Sequence, residues 1–468
     1  MIDPAASAEA LAPGFTTAPV DATSAVRLAD AGLRYALVDT SDPVAFADWL
    51  RADDRGFLGP VRDDKQYEPG RVGIGYRRTI GVYDDSLTVD AAVPVATVDS
   101  WPAELTIPGS TIYSPRILPS WAISSVTVAS THRRRGIARN LLEGELRTAN
   151  ALGLPMAMLT VSESTIYGRF GFSPAAFATE WTIDTRRARW IGPAPSGRVE
   201  FIGIDLYQQE LAELHDRIRH ASPGEIDVWP HRWSQLVGAT EPDAARTKQL
   251  RAVRHTDTSG ATRGLALYRV TGGEPDFSQH VVEVERFDAE TPDAASTLWR
   301  YLLELDLVTE VKADLRPIDE TLRWQIADFR SAEVKTWEHQ YLRVLDVPAA
   351  FSARTYAAPG SLVFHVSDAL GYAAGTWLVS VVEPHSVVEA VETTSPSYSA
   401  TVTKLDAAPN GVPTLTLTAN ELASLYLGGV AATTLVDAGR IAEGTPGDAA
   451  IADGILRSPR APWLSVWY

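Results

Sequence analysis

Three arginines in succession, Arg133, Arg134 and Arg135, run directly into Gly136. Guanidinium groups present several donors in a fixed fork, which suits the oxygens of a pyrophosphate better than the point charge of a lysine does. A glycine beside them lets a ligand approach the main chain where a β-carbon would obstruct it. The chemistry these residues point to is anion binding. The plain alternative is a solvated basic turn, because arginines at a helix N-terminus lie on the unfavourable side of its dipole unless an anion is present. Neither GxGxxG nor GxxxxGK followed by Ser or Thr occurs here, which argues against NAD and ATP.

The elements that must position this loop are legible on both sides of it. Val126 and Val128 alternate with small residues, the period of a strand with one buried face. Beyond Gly136, the residues Ile137, Leu141, Leu142 and Leu146 recur at helical spacing. The glycine therefore sits where a strand hands over to a helix, whose first N–H groups have no partner within the helix and face any bound anion. Upstream, the pattern predicts strands over residues 33–38, 79–83, 93–98 and 121–128, a helix over Pro43–Gly56, and a loop from 101 to 120. Downstream it predicts a helix ending near Leu152, strands over 155–161 and 176–183, and a short turn over 165–170. Residues 1–25, rich in Ala, Pro and Thr, read as a leader. Together these form a mixed α/β layer round a central sheet.

At 468 residues the chain exceeds what one hydrophobic core organises, so two or three domains are expected. It has no cysteine, which excludes disulfides, thiolate metal sites and a cysteine nucleophile. No run of roughly 18 apolar residues occurs, and the opening MIDPAASAEA carries an acid and no basic segment, so a cytoplasmic protein is expected. A net charge of −17 disfavours nucleic acid as a partner and favours cationic small molecules by long-range attraction. The histidines at 215, 220, 231 and 255 lie in no HExxH pattern, and no metal is expected.

Arg133 to Ala138 is similar to the Arg/Gln-x-x-Gly-x-Gly/Ala loop of the GCN5-related N-acetyltransferase superfamily. The longer run from Val128 to Gly136, joined with STIYGRFGF at 164–172 and a terminal tyrosine, resembles the Eis (enhanced intracellular survival) family of acetyltransferases. NELASLYLGG at 420–429 extends the resemblance to the C-terminal segment. It implies acetyl-CoA as acyl donor, with Val126 and Val128 offering backbone contacts on a splayed or bulged strand. It also implies that Arg133, Arg134, Gly136 and Ala138 surround the pyrophosphate. Ser125 departs from the family, which commonly has a bulky aromatic there.

Tyr167, in IYGRFGF, is the candidate general acid: a phenol placed by the thioester sulfur donates a proton as charge develops. The alternative is a tyrosine that only packs. In the Eis family the base is the carboxylate of the last residue, here Tyr468, carried by an apolar tail in which Trp463, Leu464, Val466 and Trp467 are expected to be buried. His132 reads as structural. Trp49, Asp53, Asp54 and Phe57 are candidate pocket residues by resemblance, or core and solvated face.

The resemblance implies three domains, a fold of α/β and α+β type: a catalytic GCN5-related domain over 1–185, a degenerate acetyltransferase-like domain over 186–315, and a sterol-carrier-like domain over 316–468 that delivers the C-terminus. In the second, strands are predicted near 201–204, 265–269, 281–287 and 308–313, with helices at 208–220 and 293–304. In the third, 334–344 reads as helical, Pro348 opens a helix, strands fall at 361–366, 375–382, 387–392 and 414–418, and helices at 419–426 and 448–456. The implied reaction is acetylation of primary amines on cationic acceptors, such as aminoglycosides, polyamines or lysine-bearing peptides, by a homo-hexamer with no membrane partner. Two other classes stand beside it: a non-catalytic lipid-binding or scaffolding protein, and a metal enzyme.

Overall fold

The computed structural model describes residues 3–60, 62, 64–240, 245, 247–382 and 398–468. The first region holds α1 (Pro4–Leu11), α2 (Ala22–Asp30), β1 (Arg34–Leu37), α3 (Pro43–Gly56), α4 (Asp64–Ile74), β2 (Arg78–Tyr83), β3 (Ala96–Thr106), β4 (Ile117–Val128), α5 (Ile137–Ala151), β5 (Met156–Thr160) and β6 (Ser173–Asp184). The second holds β7 (Arg198–Ile202), α6 (Ile204–Ile218), α7 (Pro230–Leu236), β8 (Arg251–Thr256), β9 (Thr262–Gly272), β10 (His280–Ala289), α8 (Pro292–Leu303), β11 (Val308–Arg316) and β12 (Ala332–Val344). The last holds α9 (Val347–Ala353), β13 (Gly360–Ser367), β14 (Gly375–Val382), β15 (Ser399–Leu405), β16 (Thr414–Thr418), α10 (Ala419–Tyr426), α11 (Ala432–Asp437), β17 (Ala442–Glu443) and α12 (Asp448–Leu456).

Local chemistry explains the best-defined helices. Asp42 caps α3 by accepting from the Val44 N–H at 2.9 Å, and Pro43 in the first turn lacks the N–H that would go unpaired there. On its inner face Phe46, Trp49 and Leu50 are buried. Thr418 and Glu421 form a reciprocal capping box at the start of α10. The leader expected over 1–25 instead contains α1 and the first turn of α2, held down by Ala8, Ala12 and Phe15 in the core.

Strands from two regions interlock in one twelve-stranded sheet of order β1-β2-β3-β4-β5-β12-β6-β11-β10-β9-β8-β7. β12 lies antiparallel between β5 and β6, with Gln340 opposite Thr160 and Trp337 opposite Ala178. β6 in turn pairs on its other edge with β11. The helix expected over 334–344 is therefore a strand, and it lies in the large sheet although the expected boundary at 316 assigns it to the third domain. Its second half, His339 to Val344, is buried throughout because strands flank both edges and layers cover both faces, which removes the alternation that marks a strand. The loop expected over 101–120 is largely paired: β3 continues to Thr106 and β4 begins at Ile117. β8 was not anticipated, and the strand expected over 387–392 lies outside the described residues.

The second sheet has order β15-β14-β13-β16-β17 and packs with α9, α10 and α12. Beside that sheet Arg354, the C-cap of α9, is fully buried, with no carboxylate partner among the described residues. Its guanidinium donates to the Tyr426 and Leu456 carbonyls, the latter at 2.5 Å, and so satisfies the ends of α10 and α12. Arg354→Met is expected to lower the melting midpoint by about 5–10 °C, since buried carbonyls lose their donors; scanning calorimetry showing an unmoved midpoint would contradict this role.

Candidate active site

A gap in the large sheet organises the site. β4 and β5 run parallel and pair only from Ser120 with Met156 to Ala122 with Met158. Beyond that point β4 is paired on its β3 edge alone, through a bulge opposite Val98 at which Ser125 takes φ 54°. A positive φ at a non-glycine residue needs support, and Thr97 Oγ1 donates to the Ser125 carbonyl at 2.8 Å. Ala129 N–H donates to Val95 O. Because backbone groups in an antiparallel strand alternate sides, those of Val126 and Val128 face away from β3 into the gap.

At the end of β4 a single 3₁₀ turn, Ser130–His132, leads into the arginines. His132 is buried and its Nε2 lies 3.1 Å from Asp84 Oδ2, so it is structural. Arg135 is committed to the same frame: it donates to Ala31 O at 2.8 Å and reaches Asp84 at 3.5 Å. The Ser86 hydroxyl, then His132 and Arg135, hold the Asp84 carboxyl well below the usual range. Arg133 and Arg134 are exposed and form no hydrogen bond or ion pair among the described residues. Arg134 and Gly136 both adopt positive φ, 62° and 76°, and Gly136 is the N-cap of α5 with no side-chain cap. The free N–H groups of that first turn, which includes half-buried Ala138, are flanked by two unpaired guanidinium groups, an arrangement whose chemistry suits an anion.

Across the gap, the tail ends on β5. Three side chains hold its carbonyls in turn: Arg286 donates to Ser465 O at 2.7 Å, His339 Nε2 to Val466 O at 2.9 Å, and Thr160 Oγ1 to Tyr468 O at 2.7 Å. Burial pushes His339 down to about 4, so its ring is neutral, and a carbonyl partner requires the proton on Nε2. Leu464 and Val466 are buried as expected; Trp463 is only half-buried and Trp467 is 37% exposed, stacked edge-on against His339. Tyr468 packs its ring edge-on to Trp101, with centroids 5.6 Å apart. The arginine loop and Tyr468 thus both lie at the C-terminal ends of the two parallel strands.

Tyr167 opens a 3₁₀ turn, Tyr167–Phe170, after β5, and its ring packs edge-on to Phe172. Burial, then the neighbouring Glu163, raises its pKa, so the phenol keeps its proton at neutral pH. Of the candidate pocket residues, Trp49 is core: it is fully buried, stacked on Phe46, and bonded to Ile80 O. Phe57 is 54% exposed and Asp54 pairs with Arg62 at 3.4 Å. Asp53 does reach the bulge. Its residue is half-buried, yet Oδ1 is shut from solvent without a partner, and the carboxyl contacts Ser125.

Behind Asp53 stands a cluster that sequence reading missed. Arg77 pairs with Asp99 at 3.0 Å, both buried, and its guanidinium lies 3.5 Å over the Trp101 ring and 4.4 Å from that of Trp229. Asp99 had one visible signal, an acid within the otherwise apolar and small run ATVDSW; Arg77 had none, because its meeting with Asp99 depends on the β2–β3 register. Among the described residues no three His, Cys, Asp or Glu are grouped to hold a metal, and no helix is long and apolar enough to cross a membrane.

Burial first, then the charges of Asp99 and Asp54, push Asp53 up to about 8, against the smaller opposing effects of Ser125 and Arg77. The folded-state value exceeds the unfolded one of about 4, so the protonated Asp53 contributes stability below pH 4 that is lost as pH rises through about 8. Asp53→Asn is therefore expected to raise the melting midpoint relative to the parent more at about pH 9 than at about pH 5. Equal differences at both values in a melting series would contradict the buried, neutral carboxyl.

Comparison with known proteins follows the same division. Residues 39–175 match the acetyltransferase (GNAT) domain family, 224–344 match a second acetyltransferase (GNAT) domain family, and 347–465 match the sterol carrier protein domain family. An uncharacterised N-acetyltransferase of Streptomyces avermitilis is 34% identical over 425 residues, covering 89% of this chain and 95% of its own. N-acetyltransferase Eis of Mycobacterium tuberculosis is 34% identical over 274 residues, 56% of this chain and 64% of that protein. The crystal structure of Eis1 from Mycobacterium abscessus superposes with a TM-score of 0.73 at 26% identity, covering 93% of this chain and 99% of Eis1. A GCN5-related N-acetyltransferase from Anabaena variabilis shares the fold, with a TM-score of 0.72 at 17% identity over 93% of this chain and all of that one. Since the likeness runs through all three regions rather than one, the chain belongs to the N-acetyltransferases built on GCN5-related (GNAT) domains and is similar to Eis and Eis1.

Proposed function

We propose that this N-acetyltransferase moves an acetyl group from acetyl-CoA to a primary amine on a multiply cationic acceptor, such as an aminoglycoside, a polyamine or an exposed lysine. The observation that carries the reading is the gap between β4 and β5, with unpaired arginines on its β4 side and the tail on its β5 side. Arg133, Arg134, Gly136 and Ala138 hold the pyrophosphate, and the backbone of Val126 and Val128 holds the arm that follows it. Bound acetyl-CoA supplies the acyl group and a thiolate leaving group.

On the acceptor side, Asp99 Oδ1 and Asp53 Oδ1 are buried without partners; an ammonium group of a cationic amine brought to them would draw the proton off the neutral Asp53 and pair with the carboxylate it leaves. Attack needs a neutral amine, so one proton must leave. In this reading the Tyr468 carboxylate, with the chain ending there, accepts it, and Tyr167 gives its own proton to the departing sulfur.

The second region serves as a degenerate copy. Its parallel pair β10–β11 also parts, after Val284 and Ala313, but Arg316 crosses the opening to donate to Phe287 O at 2.9 Å. At the start of α8, acidic Glu290 and Asp293 stand where a phosphate would need cations. In this reading the first region, residues 1–185, carries catalysis, the second, through β12, braces it, the sterol-carrier-like region after β12 delivers the tail, and the assembly is a cytoplasmic homo-hexamer.

Alanine at Arg133 or Arg134 is expected to weaken acetyl-CoA by about tenfold each, the scale of a lost charge-assisted bond. Gly136→Val is expected to weaken it further, through strain at positive φ. Calorimetric titration with unchanged affinities would refute the placement. Tyr167→Phe is expected to lower kcat at least about tenfold with little change in acetyl-CoA affinity. One residue appended after Tyr468 is expected to impair turnover with every side chain retained; thiol release measured over a panel of aminoglycosides, polyamines and lysine peptides tests both, and no amine-dependent release at all would defeat the function.

A further inference from the structure

Nothing among the described residues bonds to the Tyr167 hydroxyl, so its position follows from the turn that carries the ring. That turn is a single 3₁₀ segment closed by Gly171 N–H to Gly168 O at 3.1 Å, a short element with poor hydrogen-bond geometry. Gly171 takes φ 84°, and a β-carbon there would lie 2.6 Å from Arg343 Nε.

The rest of its support comes from far along the chain. Asn420, in the first turn of α10, donates through Nδ2 to both Gly168 O and Phe172 O, each at 2.8 Å. Arg343 of β12 donates through Nε to Phe170 O at 2.8 Å. The same guanidinium grips both oxygens of Asp368 at 2.7 Å, with both side chains buried. Asp368 is fixed in turn by the N–H groups of Leu370 and Ala373. Three carbonyls of the segment 168–172 are thereby held by two side chains, one on the sterol-carrier-like region and one anchored to it. A buried ion pair in which Arg343 Nη2 meets both Asp368 oxygens, and a doubly donating amide, are more than a surface contact requires.

We propose that Asn420, together with the Arg343–Asp368 pair, positions the phenol of Tyr167, so that the sterol-carrier-like region takes part in acetyl transfer through the acid side of the site as well as through the tail. This rests on reading Tyr167 as the proton donor. Displacements of this kind act on the chemical step, because a small misplacement of a reacting group costs far more in rate than in binding.

The test is a double-mutant cycle with acetyl-CoA and the amine that the parent acetylates best. Asn420→Ala is expected to lower kcat about thirtyfold while KM for acetyl-CoA stays within about twofold. In a Tyr167→Phe background the same change is expected to cost less than about threefold, because the group it positions is gone. Asn420→Asp, which sets an acceptor against two carbonyls, is expected to be worse than Ala. Should Asn420→Ala fail to fold, Arg343→Lys, which keeps a charge for Asp368 and loses the donor to Phe170 O, enters the same cycle with the same expectation. Losses that multiply, or an unchanged kcat, overturn the positioning role alone. A fully active Tyr167→Phe overturns the reading of Tyr167, and a parent that acetylates no amine overturns the function with it.

Discussion

Everything in the site depends on β4 leaving β5 after Ala122. Two parallel strands stay paired unless something turns one of them, and here the bulge at Ser125, in a conformation a serine seldom adopts, swings the last residues of β4 aside. Three features share that one distortion. It frees the backbone of Val126 and Val128, it aims the chain at the arginine loop, and it leaves room for the tail against Thr160. Thr97 of β3 and Asp53 of α3 both meet Ser125, so two separate elements brace the bulge.

The tail shows how the regions are coupled. Arg286, His339 and Thr160 come from β10, β12 and β5, strands separated along the chain but close in one sheet, and each grips one carbonyl. A segment held this way has no regular structure of its own; its path is dictated by the strands beneath it. Arg286 is in turn bonded to both oxygens of Asp288, so the second region contributes rigid geometry to the path of the tail.

What was legible in the sequence was whatever is decided locally. The α3 and α10 helices are legible at 43–56 and 419–426, and the caps that start them, Asp42 with Pro43 and Thr418 with Glu421, are chemistry confined to one turn. The arginine–glycine loop was legible for the same reason. β12 lacks the alternation of a strand because Gln340 to Val344 are buried on both faces, and β8, RAVRHT, carries no strand pattern because its polar residues find partners only on neighbouring elements. The Arg77–Asp99 pair and the grip of Asn420 on the Tyr167 turn depend on sheet register and on contacts across hundreds of residues, and no local pattern encodes them.

The placement of β12 bears on how the protein is made. Until residues 332–344 leave the ribosome, the facing edges of β5 and β6 carry unpaired backbone groups next to the hydrophobic side chains of a central sheet. A nascent chain in that state offers a template for pairing with any other strand, including the same edge of a neighbouring nascent chain. Selection on this fold therefore acts on the interval between translation of β6 and of β12 as well as on the finished enzyme, and it favours whatever shields those two edges in the meantime.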